Sequence, residues 1–388
     1  MEKIESITGR EILDSRGEPA LEVELETNNH IKTIASVPSG ASVGSFEALE
    51  LRDNDPARFN GQGLLKAIAN VHNIIAPALV GIGIEDQKNI DQILIDLDAT
   101  PHKSNLGANA TLAVSIAACK AAAIKQQTPL FRYIGNLAET EGSKVPTPLF
   151  NFIEGAKHAD NNLVIQEFLA IGQKDNFKAN YQEASELFHR LKDLLKDRGL
   201  TIAVGHEGGF APNLPSDEDA LRLLQQAGVT KIGLDMAGVV PKETTLSKLV
   251  STYPIVLLED PAEEDDFDYW AEITKTFSKD ILIVADDIFS STTSRLKMGH
   301  ERGVANAVIV KPNQVGTISE TIDFVKSARE MNYKLVVSHR SGETEDTFIA
   351  DFAVGVAADY TKLGAPSRGE RVCKYNRLLR IEELLSQK

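Results

Sequence analysis

From Leu21 to Thr27 the chain runs Leu-Glu-Val-Glu-Leu-Glu-Thr, a strict alternation that predicts a strand with one buried face. Asn28-Asn29 marks a turn, and Ile31-Lys-Thr-Ile-Ala-Ser36 is the expected partner strand. Helical spacing follows over residues 61–75 and 108–126, where 117–123 is small enough to let neighbouring elements approach closely. Further on the pattern changes to short apolar runs that each stop on ionisable groups. Lys231-Ile-Gly-Leu-Asp235, Pro254-Ile-Val-Leu-Leu-Glu259, Ile281-Leu-Ile-Val-Ala-Asp286, Ala307-Val-Ile-Val-Lys311 and Lys334-Leu-Val-Val-Ser-His339-Arg340 share this form. Leu200-Thr-Ile-Ala-Val204, leading into Gly205-His206-Glu207, reads as another such strand. Pro148-Leu-Phe-Asn151 and the run from Leu163 to Ile171, which carries Gln166-Glu167, precede it. Helical segments are expected at 181–198, 267–276, 291–303, 318–331 and 347–358.

Glu259, Asp286, Lys311 and His339 lie 27, 25 and 28 residues apart, and Asp235 stands 24 before Glu259. Each interval is one βα unit. Parallel strands whose C-terminal ends all carry polar groups predict a (β/α)8 barrel with its site at that face. The fold class expected is α/β: an N-terminal α+β capping domain over 1–127, a connection over 128–147 bracketed by Thr128-Pro129 and Val145-Pro146-Thr147-Pro148, and a barrel with a C-terminal helix over 148–388. Pro38-Ser-Gly-Ala-Ser-Val-Gly44 has too little apolar content to pack and reads as a loop able to fold over a ligand.

Composition narrows the function. A net charge of −15 without a long basic stretch argues against nucleic-acid or anionic-membrane partners, though not against a small anionic substrate in a cleft. No apolar run approaches a membrane span, and the first residues lack a signal peptide's apolar core. The two cysteines, Cys119 and Cys373, sit in no ligand pattern, so the expected location is a reducing cytoplasm. His206-Glu207 opens like a zinc-protease motif, but Phe210 stands where the second histidine belongs, and Gly81-Ile-Gly83 lacks the setting of a dinucleotide site.

Three carboxylates at consecutive strand ends, Asp235, Glu259 and Asp286, need a counter-ion, and oxygen-only ligands favour Mg²⁺ over Zn²⁺. With Lys311 on the next strand and His339-Arg340 on the one after, the set suits proton abstraction beside a carboxylate. Lys311 would be the base, its pKa lowered by nearby Mg²⁺ and Arg340.

The chain resembles the enolase family from Arg10-Glu-Ile-Leu-Asp-Ser-Arg-Gly17 to Tyr375-Asn-Arg-Leu-Leu-Arg-Ile-Glu-Glu383, through Ser36-Val-Pro-Ser-Gly-Ala-Ser-Val-Gly44, Lys157-His-Ala-Asp-Asn-Asn162, Glu207-Gly-Gly-Phe-Ala-Pro-Asn213 and Ser338-His-Arg-Ser-Gly-Glu-Thr-Glu-Asp346. The resemblance implies a capped barrel that begins ββαα before six βα units, and reversible dehydration of 2-phosphoglycerate to phosphoenolpyruvate. It implies that Lys311 removes the C2 proton, that Glu207 protonates the departing C3 hydroxyl with Glu167 in support, and that Asp235, Glu259 and Asp286 hold one Mg²⁺. Ser42 would close over a second Mg²⁺, Arg340 and Ser341 would grip the phosphate, and Lys362, Gln166, His158 and His339 would complete the substrate shell. A homodimer or an octamer is implied as well.

The departures are His206, where aspartate is usual and where a neutral or cationic neighbour should lower the pKa of Glu207; Val43; Pro312; the segment Met236-Ala-Gly-Val-Val240; and a shortened stretch between Asn213 and Glu259. Two other readings stay open: another acid dehydratase of the same superfamily, and a non-catalytic paralogue acting as a binding protein. The latter would use the C-terminal Lys388, since exposed C-terminal lysines of some enolases bind plasminogen.

Overall fold

A computed structural model describes residues 2–41, 44–239 and 243–387; Ser42, Val43, Val240 and Lys388 lie outside the described residues. The chain divides into two compact units. The first comprises 1–143, 311–326 and 340–357, and the second 144–310, 327–339 and 358–388.

The first unit holds an antiparallel sheet of β1 (Ile4–Leu13), β2 (Pro19–Thr27) and β3 (Lys32–Ser36), with β2 in the middle. The alternation legible in β2 survives: Leu21, Val23 and Leu25 are buried, while the glutamates between them are half-buried on the other face. No periodicity announced β1, because only Ile4 and Ile7 are buried along it and a bulge shifts its register between Ile4 and Ser6. The sheet packs on the helix Ala108–Lys125, which is apolar and buried nearly all round. Its few polar side chains are satisfied internally: Thr111 Oγ1 donates to the Gly316 carbonyl at 2.8 Å and Ser115 Oγ to Asp91 Oδ1 at 2.6 Å. Buried Asp91, fully desolvated, has its carboxyl pushed up to about 6 despite the hydroxyls of Ser115 and Ser319.

The second unit is a closed eight-stranded barrel. Its strands are β4 (Thr147–Glu154), β5 (Glu167–Ile171), β6 (Ile232–Asp235), β7 (Ile255–Glu259), β8 (Leu282–Ala285), β9 (Ala307–Val310), β10 (Lys334–Ser338) and β11 (Tyr360–Lys362). β5 runs antiparallel to both β4 and β6, and every other neighbouring pair is parallel. Two helices, Phe177–Asp197 and Asp217–Ala227, follow β5 before the βα alternation begins, which gives the expected ββαα opening. Leu149, Leu169, Leu257, Val284, Ala307, Ile309 and Val336 form one core cluster of buried residues. Tyr375, on the helix Gly369–Ser386, lies 4.9 Å ring to ring from Phe150 and donates to the Gly364 carbonyl at 2.6 Å, which docks that helix on β4.

One expected strand is absent and one unexpected strand replaces it. Residues 200–204 join no ladder beyond a single bridge from Val204 to Phe210, because Thr201, Ile202 and Ala203 face solvent. The eighth strand is β11, whose three residues carry too short a pattern to show a period. Among the described residues no helix is long and apolar enough to cross a membrane.

In the first unit, Asp346 accepts from Lys120 Nζ at 2.8 and 2.7 Å and from the amides of Ser36 and Phe348 at 3.0 and 2.9 Å. Burial opposes ionisation, yet Lys120 and these donors hold the carboxyl below its usual range. The stabilisation is therefore complete above the ordinary aspartate value of about 3.9 and is lost as pH falls through the lowered one. Lys120→Met should cost roughly 1–3 kcal/mol at pH 7 by leaving the carboxylate without its cation, read as a lower denaturant midpoint.

Candidate active site

In the barrel the strand directions decide which residues meet. β4, β6 and β7 end on Glu154, Asp235 and Glu259, whereas β5 runs the other way and begins at the same face with Glu167. The registers are direct: Glu154 pairs with Glu167, Glu167 with Asp235, and Asp235 with Glu259. A carboxylate set inside an apolar run, costly as read along the sequence, is thus a strand terminus. Four buried carboxylates stand in a row.

Lys362, the last residue of β11, supplies the countercharge. Its Nζ lies 2.8 Å from both oxygens of Glu259, 3.1 Å from Asp235 and 3.3 Å from Glu167, and the residue is only 3% exposed. Burial alone would lower its pKa, but Asp235, Glu167 and Glu259 reverse that and hold it well above the usual lysine range. Glu259 is pushed well above the carboxylate range by burial and by Asp235, against the pull of Lys362. Burial and Glu207 raise Glu167 to about 7.

A second group surrounds Glu207. Its carboxylate lies 3.0 Å from His339 Nε2 and 3.7 Å from His158 Nδ1, and it accepts from Asn151 Nδ2 at 3.3 Å. His339 takes its orientation from Arg371, whose Nη1 donates to Nδ1 at 2.6 Å. A guanidinium cannot accept a hydrogen bond, so Nδ1 is the acceptor and the ring proton sits on Nε2, facing Glu207. Burial pushes Glu207 up, but His339, His158 and Arg371 outweigh it and hold the carboxyl well below its usual range. The His206 side chain is exposed, and its carbonyl accepts from Arg371 at 3.0 Å. His158 is raised to about 9: burial works against the cation, and Glu207, Glu167 and Glu154 prevail.

Glu154 escaped notice in the sequence. The run Thr147-Pro-Leu-Phe-Asn-Phe-Ile-Glu154 follows the same rule as the later strands, but reading it only as far as Asn151 hid its terminal carboxylate. Glu154 accepts from the amides of Glu207, at 3.0 Å, and Gly209. Burial and Glu207 push its carboxyl to about 8. Arg371 lies on a helix with no motif that marks it.

His158 Nδ1, Gln166 Oε1 and Glu167 Oε2 are buried and make no well-formed hydrogen bond. His158 Nδ1 and Glu167 Oε2 have only long ion-pair contacts, to Glu167 Oε1 and to Lys362 Nζ at 3.3 Å each, and Gln166 Oε1 has no hydrogen-bond partner, so this buried region has polar capacity left for a ligand. The oxygen-only donors Asp235, Glu259 and Asp286, 4, 1 and 8% exposed, fit a hard divalent cation by their chemistry. Among the described residues, ligand atoms all lie within 4.8 Å of one another in the buried triplet His158–Glu167–Glu207 and in Asp260–Asp286–Asp287, whose last member is half-buried. The carboxylate of Asp286 is therefore grouped with Asp260 and Asp287, and those of Asp235 and Glu259 with Lys362. Asp260 holds the turn after β8 by accepting from the amides of Asp286 and Asp287 at 2.8 and 2.9 Å.

The matches to known families agree with this geometry. Residues 4–134 match the family described as enolase, N-terminal domain, and residues 143–240 and 237–388 match enolase, C-terminal TIM barrel domain. The chain belongs to the enolase family. In this enolase-family chain Lys311 directly follows β9, and the first compact unit, which contains it, holds the remaining expected residues. There Arg340 is 5% exposed and pairs with Glu47, Nη1 to Oε2 at 2.7 Å, and with Asn313 Oδ1 at 3.3 Å. Ser341 Oγ accepts from the amide of Ala41 at 2.7 Å, at the edge of the small-residue loop. Glu47 carried no sequence signal.

Replacing Lys362 by Met should destabilise the protein by roughly 3–5 kcal/mol at pH 7, since it leaves buried carboxylates without their cation. In the wild type this contribution is present throughout the range below the ordinary lysine value. Glu259 is already raised in the wild type and is raised further without Lys362, so the loss of stability as pH rises above about 4.3 should continue to higher pH in the variant than in the wild type, which denaturant midpoints between pH 5 and 8 will measure.

Proposed function

We propose that this chain is a phosphopyruvate hydratase, which interconverts 2-phosphoglycerate and phosphoenolpyruvate with Mg²⁺. The observation that carries the reading is the buried group at the barrel's strand ends: Glu207 with His339 and His158, beside Glu167 and Lys362, in a chain of the enolase family.

Lys311 takes the proton from C2 of the substrate. Glu207 delivers a proton to the C3 oxygen as the hydroxyl leaves, with Glu167 in support; in the hydration direction it takes that proton back from water. Free Glu207 is held ionised, and a polyanionic substrate arriving beside it raises its proton affinity, which suits the acid role. Arg340 and Ser341 hold the phosphate. Lys362, Gln166, His158 and His339 hold the remaining oxygens, and of these Gln166 and His158 have hydrogen-bonding capacity left to offer. Asp235, Glu259 and Asp286 would hold one Mg²⁺ and Ser42 would help to hold a second. Bound Mg²⁺ stabilises the charge that builds on the substrate carboxylate as C2 loses its proton. A cytoplasmic homo-oligomer is part of the same reading.

The test follows ultraviolet absorbance of the conjugated product after addition of 2-phosphoglycerate. Mg²⁺-dependent turnover, abolished by chelator and by Lys311→Ala, is expected. A folded, Mg²⁺-replete wild type that turns over only unphosphorylated hydroxy acids would move the assignment to another acid dehydratase, and one silent toward all of them to a binding paralogue.

A further inference from the structure

The carboxylate of Glu154 lies in the bend that carries Glu207. Its Oε2 accepts from the Glu207 amide at 3.0 Å and its Oε1 from the Gly209 amide. The bend closes on itself through Gly205 N donating to the Gly209 carbonyl at 2.9 Å, and Phe210 N donating to the Phe152 carbonyl of β4 at 2.9 Å. Two glycines make room for the carboxylate. A Cβ at Gly205 would collide with Glu154 Oε2, and one at Gly209 would lie 3.0 Å from Oε1. Glu154 is 0% exposed and is the terminal residue of β4, so its own backbone is fixed by the barrel, whereas the bend belongs to no strand of it.

We propose that Glu154 is a positioning residue for Glu207: it clamps the bend from below through two backbone amides and so fixes where the acid meets the leaving oxygen. The inference rests on the hydratase reading for its kinetic consequence. Its structural content stands apart from that reading. Glu154 touches no reacting atom; it acts through the main chain, accepting from the N–H of the peptide group that joins His206 to Glu207, while Arg371 donates to the carbonyl of that same peptide group. Two anchored peptide groups flanking one side chain restrict it more than packing of an exposed loop would.

Glu154→Gln keeps the shape, but its amide can accept from only one of the two N–H groups and turns a donor toward the other. Loss of the C3 oxygen depends on Glu207 and removal of the C2 proton on Lys311, so the two steps separate. In Glu154→Gln with 2-phosphoglycerate and Mg²⁺, turnover should fall by about 10²-fold with KM unchanged. Exchange of the C2 proton with deuterated water should persist, raising the ratio of exchange to turnover by a similar factor. Glu154→Asp, which keeps both carboxyl oxygens, should recover part of the loss, and it carries the test if the glutamine variant does not fold. Hydrogen exchange at the Glu207 and Gly209 amides, measured without substrate, should accelerate in the variants while the barrel strands keep wild-type protection. Unchanged exchange at those two amides, or exchange and turnover falling together, would overturn the proposal. A wild type that neither turns over nor exchanges would sink the hydratase reading, and the amide measurement alone would then decide the clamp.

Discussion

One end of the barrel carries more negative charge than a protein interior tolerates unaided, and the amine of Lys362 is what makes it foldable. Glu154, Glu167, Asp235 and Glu259 stand on four adjacent strands with their side chains withdrawn from water. Carboxyl groups so placed either take up a proton or need a cation or several donors to meet them. Lys362 reaches three of the four, and the amides of Glu207 and Gly209 meet the fourth. The arrangement is stable and chemically poised at once, because the groups that balance the charge also set each carboxyl's proton affinity. Glu207 is held low and its neighbours Glu154 and Glu167 high, so groups of one chemical type are driven apart by their surroundings.

The reversed strand β5 makes this density possible. In an all-parallel barrel of this kind each strand contributes its C-terminal residue; a strand that runs backwards contributes its first residue instead. Glu167 therefore stands between Glu154 and Asp235 in register, with Gln166 just before it. The bend from Gly205 to Phe210 then brings Glu207 to the same face without being a barrel strand.

Much of this was legible in the sequence wherever strand periodicity and an ionisable terminus coincided, as at Asp235, Glu259 and Lys311. Elsewhere a physical reason hid it. The apolar run at 200–204 looks like a strand but faces solvent, because the hydrogen-bonding positions beside β5 are taken by β4 and β6. β11 is three residues long and β1 buries too little of either face to alternate. Lys362 and His158 were recognisable only through family resemblance, and Arg371 and Glu47 not at all, since each acts through a partner more than 30 residues away with no local pattern to mark it. Asp286 shows the limit of spacing arguments. Its place after β8 was legible, but its grouping with Asp260 and Asp287 depends on turn geometry that no spacing encodes.

The last strand to be synthesised both closes the barrel and neutralises it. β11 bridges β10 to β4, and its final residue is Lys362. During translation Asp235 and Glu259 leave the ribosome more than 100 residues before that amine. A nascent chain lacking β11 has an unpaired edge on β4 and buried acids without their cation, so its half-built barrel has no stable closed form. Assembly of this end of the molecule is consequently a late and cooperative event, and the barrel does not grow strand by strand as its repeating pattern suggests.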